Sequence, residues 1–131
     1  MEDRLPLKLD AVVLECADVN ALADFYCRML GWEKRCDEGD EWVDICSSAG
    51  GVKIAFQKNE GYVPPVWPDE PGAQQQMAHL DFTVTDQRQL TLAVAHALSC
   101  GAVKAKTQYG EDKWITMLDP AGHPFCFVIW G

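Results

Sequence analysis

The spacing of histidine and cysteine residues along a chain indicates whether they can form a metal site or a redox motif. The chain has three histidines and six cysteines, and no two cysteines stand as C-x-x-C. A zinc ribbon or a thioredoxin-like redox motif is therefore not predicted. The serines lack the context of a nucleophile elbow, and no glycine-rich phosphate loop is present, which argues against serine hydrolysis and nucleotide binding. Most of the cysteines lie inside apolar runs, so we expect reduced, structural thiols; they are Cys16, Cys27, Cys36, Cys46, Cys100 and Cys126.

Length and composition describe the setting in which these side chains act. The 131 residues suffice for one domain, and 48% hydrophobic with 24% charged residues is ordinary globular usage. No apolar run approaches the roughly 20 residues that span a bilayer. Met1 to Arg4 begin the chain without an apolar leader behind them, so we expect a cytoplasmic protein. The net charge of −9 argues against nucleic acid and membrane surfaces as partners and favours cationic ligands.

The two halves of the chain repeat one pattern of elements. At an offset of 68 residues, similar side chains coincide, among them Leu14 with Phe82, Asp18 with Asp86, and Leu22 with Leu90. Each half predicts strand–helix–strand–strand–strand: module 1 over about 9–57 and module 2 over about 77–130. The connecting residues 58–76 hold four of the seven prolines, which is typical of a stiff extended linker.

The helix boundaries carry the clearest local signals. Asp18 and Asp86 can cap helix starts, and Gly31 and Gly101 can end the helices in the left-handed conformation. Gln89, three residues after Asp86, predicts a variant of the capping box. In module 2 the apolar stripe of the helix is predicted from spacing, and strands are predicted over 102–107 and 124–130; the stripe comprises Leu90, Val94, Ala97 and Leu98.

Two sequence motifs, together with this pattern, resemble those of a known family. Phe25-Tyr26 followed by Leu30-Gly31-Trp32, and Asp119-Pro120-Ala121-Gly122-His123, resemble the vicinal oxygen chelate superfamily of glyoxalases, bleomycin-resistance proteins and ring-cleaving dioxygenases. The resemblance implies an α+β fold and a single glyoxalase-like domain over 1–131. Two tandem βαβββ modules would form a curled mixed sheet, an open barrel around a cavity, with the helices outside.

Strand alternation then predicts which side chains face the cavity. The apolar positions of each strand must meet the helices, so their neighbours point into the hollow. Aromatic walls with a few fixed polar groups suit a small-molecule site. The predicted ligand-binding residues are Trp42, Asp44, Gln57, His79, Asp81, Trp114 and Cys126.

Enzymes of this superfamily typically hold a divalent ion with histidine or glutamate at four equivalent places. Those places fall here at Ala11, Ala55, His79 and Cys126. Only His79 matches the family pattern, and alanine cannot ligate a metal. We therefore expect no cofactor and no family-type metal, with a divalent ion held in part by His79 as the alternative.

The polar residues of the predicted cavity leave several roles open. His79 can be a ligand, a general base or a polar wall residue, and Glu15 is the other candidate base. Cys126, expected beside His79, is either an inert buried thiol or part of a reactive or soft-metal pair. His123 is expected to pack or cap within its turn. Trp67 is expected to anchor the linker or to cover the cavity.

Two classes of function follow. The first is a metal-free, bleomycin-resistance-like protein that binds a cationic or aromatic small molecule. The alternatives are enzymes: a metal-dependent glyoxalase-like lyase, isomerase or dioxygenase with a degenerate site, or a metal-free epimerase-type proton transfer. Family habit also predicts a homodimer.

Overall fold

The structure, a computed structural model, describes residues 5–130, without the side chains of Cys36 and Asp37. The predictions on Met1–Arg4 and on the Cys36 thiol lie outside this described part. The duplicated pattern of elements is present as predicted. In chain order the elements are β1 (Ala11–Cys16), α1 (Val19–Leu30), β2 (Glu33–Asp37), β3 (Trp42–Cys46), β4 (Lys53–Lys58), β5 (Leu80–Thr83), α2 (Gln87–Cys100), β6 (Val103–Lys104), β7 (Trp114–Leu118) and β8 (Pro124–Val128).

The strands form two four-stranded mixed sheets, ordered β1-β4-β3-β2 and β5-β8-β7-β6. In each sheet the first two strands are parallel and the remaining pairs are antiparallel. Within residues 5–130 no strand of one sheet pairs with a strand of the other, so there is no closed barrel. The α+β class and the two tandem modules are confirmed. Neither helix in this range is long and apolar enough to cross a membrane.

Both helices begin and end at the predicted residues. Asp18 accepts from the backbone N–H of Ala21 at 3.1 Å, and Asp86 accepts from that of Gln89 at 2.8 Å. Each cap thus satisfies an amide that has no partner within its helix. Gly31 closes α1 at φ 70°, a conformation that costs glycine nothing. The Gln89 side chain accepts from Thr85 N–H, one residue before the cap, so the capping box is shifted.

The hydrophobic core lies between the helices and one face of each sheet. Strand alternation places the apolar side chains there as predicted, including Leu14, Ile54, Phe56, Phe125 and Phe127. The core is shared between the modules because Phe25 of α1 packs on Phe125 of β8, with ring centroids 6.1 Å apart. Leu98 departs from the predicted stripe of α2: it is 46% exposed, while Leu90, Ala97 and Cys100 are buried.

A buried polar cluster also joins the modules. The Tyr26 hydroxyl of α1 donates to the Asp119 carboxylate at 2.7 Å, and both residues are buried. His123 Nδ1 lies 2.9 Å from the same carboxylate, and its Nε2 lies 2.8 Å from the Glu15 carbonyl oxygen of β1. His123 was expected to pack or cap within its own turn. It does contact its turn through Asp119, and it also fastens β1 to the turn before β8.

The sixth strand is much shorter than the prediction over 102–107. Only Val103 and Lys104 pair with β7. Beyond them a side chain replaces the strand: Gln108 accepts from Thr116 N–H and donates to Thr116 O, both at 2.8 Å. The Thr116 carbonyl oxygen also accepts from the Ala105 backbone N–H at 3.1 Å, so the Gln108 amide shares that acceptor and satisfies the Thr116 N–H that a longer β6 would have paired.

Candidate functional site

A cavity of about 220 Å³ lies on the face of the second sheet that is turned away from α2. Its floor is made by alternate residues of β5, β7 and β8, which strand geometry points away from the core. The segment before β5 and the loop before β7 supply the remaining walls. The lining residues are Trp67, Gln76, His79, Asp81, Tyr109, Trp114, Thr116, Pro124, Cys126, Val128 and Trp130.

A row of polar side chains crosses the floor from strand to strand. Asp81 of β5 stands opposite Cys126 of β8, which stands opposite Thr116 of β7. Thr116 Oγ1 lies 3.4 Å from Cys126 Sγ, within hydrogen-bonding range for sulfur. His79, just before β5, places Nε2 3.2 Å from Asp81 Oδ1. Side chains from β5, β7 and β8 of the second sheet thus form one polar patch.

The thiol on this floor is held in its protonated form. Burial raises the pKa of Cys126 above its ordinary value, and the nearby Asp81 carboxylate raises it further. The Thr116 hydroxyl acts in the opposite direction by hydrogen-bonding to the sulfur. Because thiolates are the nucleophilic form, Cys126 is a poor nucleophile in this setting at neutral pH.

Aromatic rings form the cavity walls in two edge-to-face pairs. The Trp114 and Trp130 ring centroids are 5.7 Å apart, as are those of Trp67 and Tyr109. Trp67 Nε1 also donates to the Thr107 carbonyl oxygen at 2.9 Å. Trp67 therefore anchors the linker and also lines the cavity. Gly110 is buried against Trp114, and a Cβ there would overlap the indole ring and the Trp114 carbonyl.

Gln76 adds an acceptor to the cavity wall. Its Oε1 is buried and has no hydrogen-bond partner among residues 5–130. An unpaired buried carbonyl is costly, so a ligand that donates a hydrogen bond there would be favoured. Gln76 and Tyr109 were missed as site residues because both lie in irregular segments, where alternation gives no facing direction. The adjacent Gly110 is the one local signal of close packing around Trp114.

The other predicted site residues lie on the first sheet. Trp42 of β3 stands opposite Gln57 of β4, and Asp44 stands opposite Ala55. Asp44 is buried, and its Oδ1 has no hydrogen-bond partner in the described residues; Arg35 Nη1 is 3.8 Å away. None of the three predicted residues Trp42, Asp44 and Gln57 lines the cavity of the second sheet. The structure thus brings together His79, Asp81, Trp114 and Cys126 and leaves Trp42, Asp44 and Gln57 apart from them.

Glu15 likewise lies outside this cavity. Its side chain is exposed on β1 and accepts from Asn59 Nδ2 at 2.8 Å. It borders a separate groove of about 280 Å³ between β1 and the segment before β5, together with Val13 and His123. The two candidate bases, His79 and Glu15, therefore belong to different concavities.

A metal held by both modules does not fit these residues. Ala11 and Ala55 of the first sheet offer no ligand atom. Donors do gather in the second module: one ligand atom each from His79, Asp81 and Cys126 lies within 4.8 Å of the others. Any ion at this site would depend on the second module alone.

A model of the glyoxalase-like domain matches residues 11–128, nearly the whole described chain. The chain belongs to the glyoxalase-like domain family. The resemblance to the glyoxalase, bleomycin-resistance and dioxygenase superfamily is thereby confirmed. No curated protein sequence matches this glyoxalase-like domain significantly.

Solved structures repeat its fold at low sequence identity. A possible glyoxalase from Bacillus cereus matches with a TM-score of 0.68 and 14% identity, covering 93% of this chain and 98% of that one. A glyoxalase/bleomycin resistance protein/dioxygenase family enzyme from Burkholderia phytofirmans matches with a TM-score of 0.68 and 19% identity, covering 92% and 97%. Lactoylglutathione lyase from Agrobacterium tumefaciens matches with a TM-score of 0.65 and 14% identity, covering 98% and 99%. At such identities the likeness establishes the fold of this glyoxalase-like domain.

Proposed function

We propose that this protein binds a small aromatic or cationic organic molecule in the cavity of the second sheet, using its own side chains rather than a metal shared by the modules. The observation that carries the proposal is the Asp81 carboxylate on a floor walled by Trp114 and Trp130. Indole faces and a carboxylate both attract organic cations, and indole faces stack with aromatic rings.

The size of the cavity limits the ligand. Pockets for drug-sized molecules commonly measure about 300–1,000 Å³. At about 220 Å³, this cavity suits a ligand built around a single ring. Most of its lining is apolar, so the few polar groups would fix the orientation of that ring.

The charges and acceptors in the cavity favour a ligand that donates hydrogen bonds. Asp81 and the unpaired Gln76 Oε1 are both acceptors. The net charge of −9 adds a general attraction for cations. His79 lies beside Asp81 and competes with the ligand for that carboxylate.

Three probes of similar shape and different charge test the proposal: benzamidinium, benzamide and benzoate, followed by tryptophan fluorescence. We expect benzamidinium to bind about tenfold more tightly than benzamide, which corresponds to about 1.4 kcal/mol, and benzoate to bind most weakly. Asp81→Asn should remove the preference for the cation while leaving benzamide binding in place. Asp24→Asn, an equal charge change on the exposed face of α1, is the matched control.

Equal affinity for the three probes would refute the role of charge, and no binding of any probe would refute the proposed site. Trp67→Phe, Trp114→Phe and Trp130→Phe identify the reporter because these three indoles line the cavity. A fluorescence change that persists unaltered in all three variants would place the probe elsewhere.

A second function is favoured by the pairing of His79 with Asp81. A carboxylate 3.2 Å from an imidazole nitrogen can orient the ring as a general base, which suits epimerase-type proton transfer. Deuterium exchange from D₂O into the α-carbon of small carbonyl compounds tests it. Exchange that His79→Gln abolishes would support this function, and exchange equal to the protein-free rate would exclude it for those compounds.

A further inference from the structure

We propose that the second module by itself forms a site for a zinc-class divalent cation, with His79, Asp81 and Cys126 as its three ligands. One donor atom from each lies within 4.8 Å of the other two. In a tetrahedral zinc site, neighbouring ligand atoms are about 3.5 Å apart, so small side-chain rotations would close this set around an ion.

The scaffold beneath the donors is regular sheet. Asp81 and Cys126 face each other across the parallel pair of β5 and β8. His79 precedes Asp81 by two residues, and His79 Nε2 already lies 3.2 Å from Asp81 Oδ1. His79 and Asp81 are partly exposed, whereas Cys126 is buried.

The donor types select the class of ion. Imidazole nitrogen, carboxylate oxygen and cysteine sulfur together suit zinc or cobalt, whereas magnesium and calcium prefer oxygen alone. Three protein ligands leave a fourth position, which here opens into the cavity. Thr116 Oγ1, 3.4 Å from Cys126 Sγ, can donate to a metal-bound thiolate and hold its orientation.

This site differs from the one that the family resemblance implies. That arrangement draws on both modules, and its first-module places are Ala11 and Ala55 in this chain. Asp81 is not one of its four places. The set proposed here uses one sheet only and includes a donor that the family pattern lacks.

An ion bound in this way would regulate the cavity, an extension that rests on the proposed ligand-binding function. The ion would neutralise Asp81, the carboxylate that attracts an organic cation. Zinc and benzamidinium should therefore exclude each other, while zinc and neutral benzamide should interfere much less.

Cobalt(II) titration of the full chain, reduced and freed of metal by chelator, tests the site directly. We expect saturable binding of one cobalt, with tetrahedral d–d bands and a thiolate-to-cobalt charge-transfer band that zinc removes. Cys126→Ser should abolish the charge-transfer band, and His79→Gln should weaken cobalt binding roughly tenfold or more. Cys46→Ser, on β3 of the other sheet, should leave the titration unchanged.

Three outcomes would overturn the site: no saturable uptake, an octahedral spectrum without charge transfer, or a charge-transfer band that survives Cys126→Ser. His79→Gln keeps the test decisive if the buried Cys126→Ser variant does not fold, because His79 is partly exposed and its replacement leaves the core intact. Benzamidinium titration of the metal-free protein is read separately. Its failure would count against the proposed function, and failure of the cobalt spectrum would count against the metal site.

Discussion

Replacing Tyr26 by phenylalanine tests how firmly the two modules are joined. The Tyr26 hydroxyl is fully buried and donates to Asp119 Oδ2 at 2.7 Å. Burial and the Asp119 charge raise the pKa of Tyr26 well above its ordinary value, so the hydroxyl stays protonated and able to donate. Phenylalanine keeps the ring, including its stacking on Phe56 at 5.6 Å, and removes only the oxygen.

The magnitude follows from the partners that Asp119 retains. Hydrogen bonds to charged groups contribute about 1.5–3 kcal/mol. Asp119 keeps the backbone N–H donors of Ala121 and His123, and His123 Nδ1 stays 2.9 Å from its Oδ2. The Asp119 carboxylate therefore still accepts hydrogen bonds in Tyr26→Phe, and we expect the free energy of unfolding to fall by about 2 kcal/mol. With a urea dependence of about 2 kcal/mol per molar, the midpoint should fall by about 1 M.

Urea denaturation of the full chain at pH 7, followed by circular dichroism, measures this loss. Tyr62→Phe is the matched control, since its hydroxyl donates at 2.7 Å to the neutral Ala121 carbonyl from a half-buried position. We expect the control to lose about 0.5–1 kcal/mol. A Tyr26→Phe loss below about 0.5 kcal/mol, or one equal to the control, would refute the view that this bond is a principal tie between the modules.

Three further predictions concern pH, packing and helix capping. Burial raises the pKa of Cys16 from 9.0 to about 11, so the thiol ionises first in the unfolded chain. The free energy of unfolding should be unaffected by this thiol below pH 9 and should fall by roughly 2 kcal/mol as the pH rises towards 11, as urea denaturation at several pH values would show. Gly110→Ala should lower the thermal midpoint and weaken probe binding, because the new Cβ would overlap Trp114. Asp18→Ala should lower the free energy of unfolding by about 1 kcal/mol, measured in urea, through loss of the cap on Ala21 N–H.

A second variant of this chain serves as the control or comparison for each of these three predictions. Cys16→Ala should remove the loss of stability between pH 9 and 11, and an unchanged slope in that variant would assign the loss to other groups. Gly61→Ala adds a methyl whose nearest neighbour, Asn59 Oδ1, lies at an ordinary 3.5 Å, so it should be nearly neutral. Asp86→Ala repeats the cap test in the second module, and similar losses are expected there because Asp86 likewise accepts from the backbone N–H three residues further on.

The duplicated pattern made most of the fold predictable. Asp18, Gly31 and Asp86 mark helix boundaries through their own backbone and side-chain preferences, which do not depend on distant residues. The shortened β6 could not be predicted, because the amide of Gln108 replaces strand pairing only when the chain has already folded against Thr116. The predicted homodimer concerns surfaces between chains, and it stays a prediction.

The site was predictable only in part, for a geometrical reason. Alternation correctly separates the helix-facing side of a sheet from the opposite side, so His79, Asp81, Trp114 and Cys126 were expected on the side where they line the cavity. It does not tell how two sheets are placed relative to each other. Residues of the first sheet were therefore expected at the same cavity, although their sheet shares no strand pair with the second within residues 5–130.

The cavity has two parts that differ in how strongly strand register constrains them: the polar row across β5, β8 and β7, and the wall residues outside the strands. Because facing alternates residue by residue, inserting one residue within β8 would exchange Cys126 for a core phenylalanine and break the row between Asp81 and Thr116. Trp67 and Tyr109 lie outside the strands, where the facing of a side chain is not fixed by alternation. Substitutions at Trp67 and Tyr109 can thus change which ligand the cavity accepts without changing the residues of the floor.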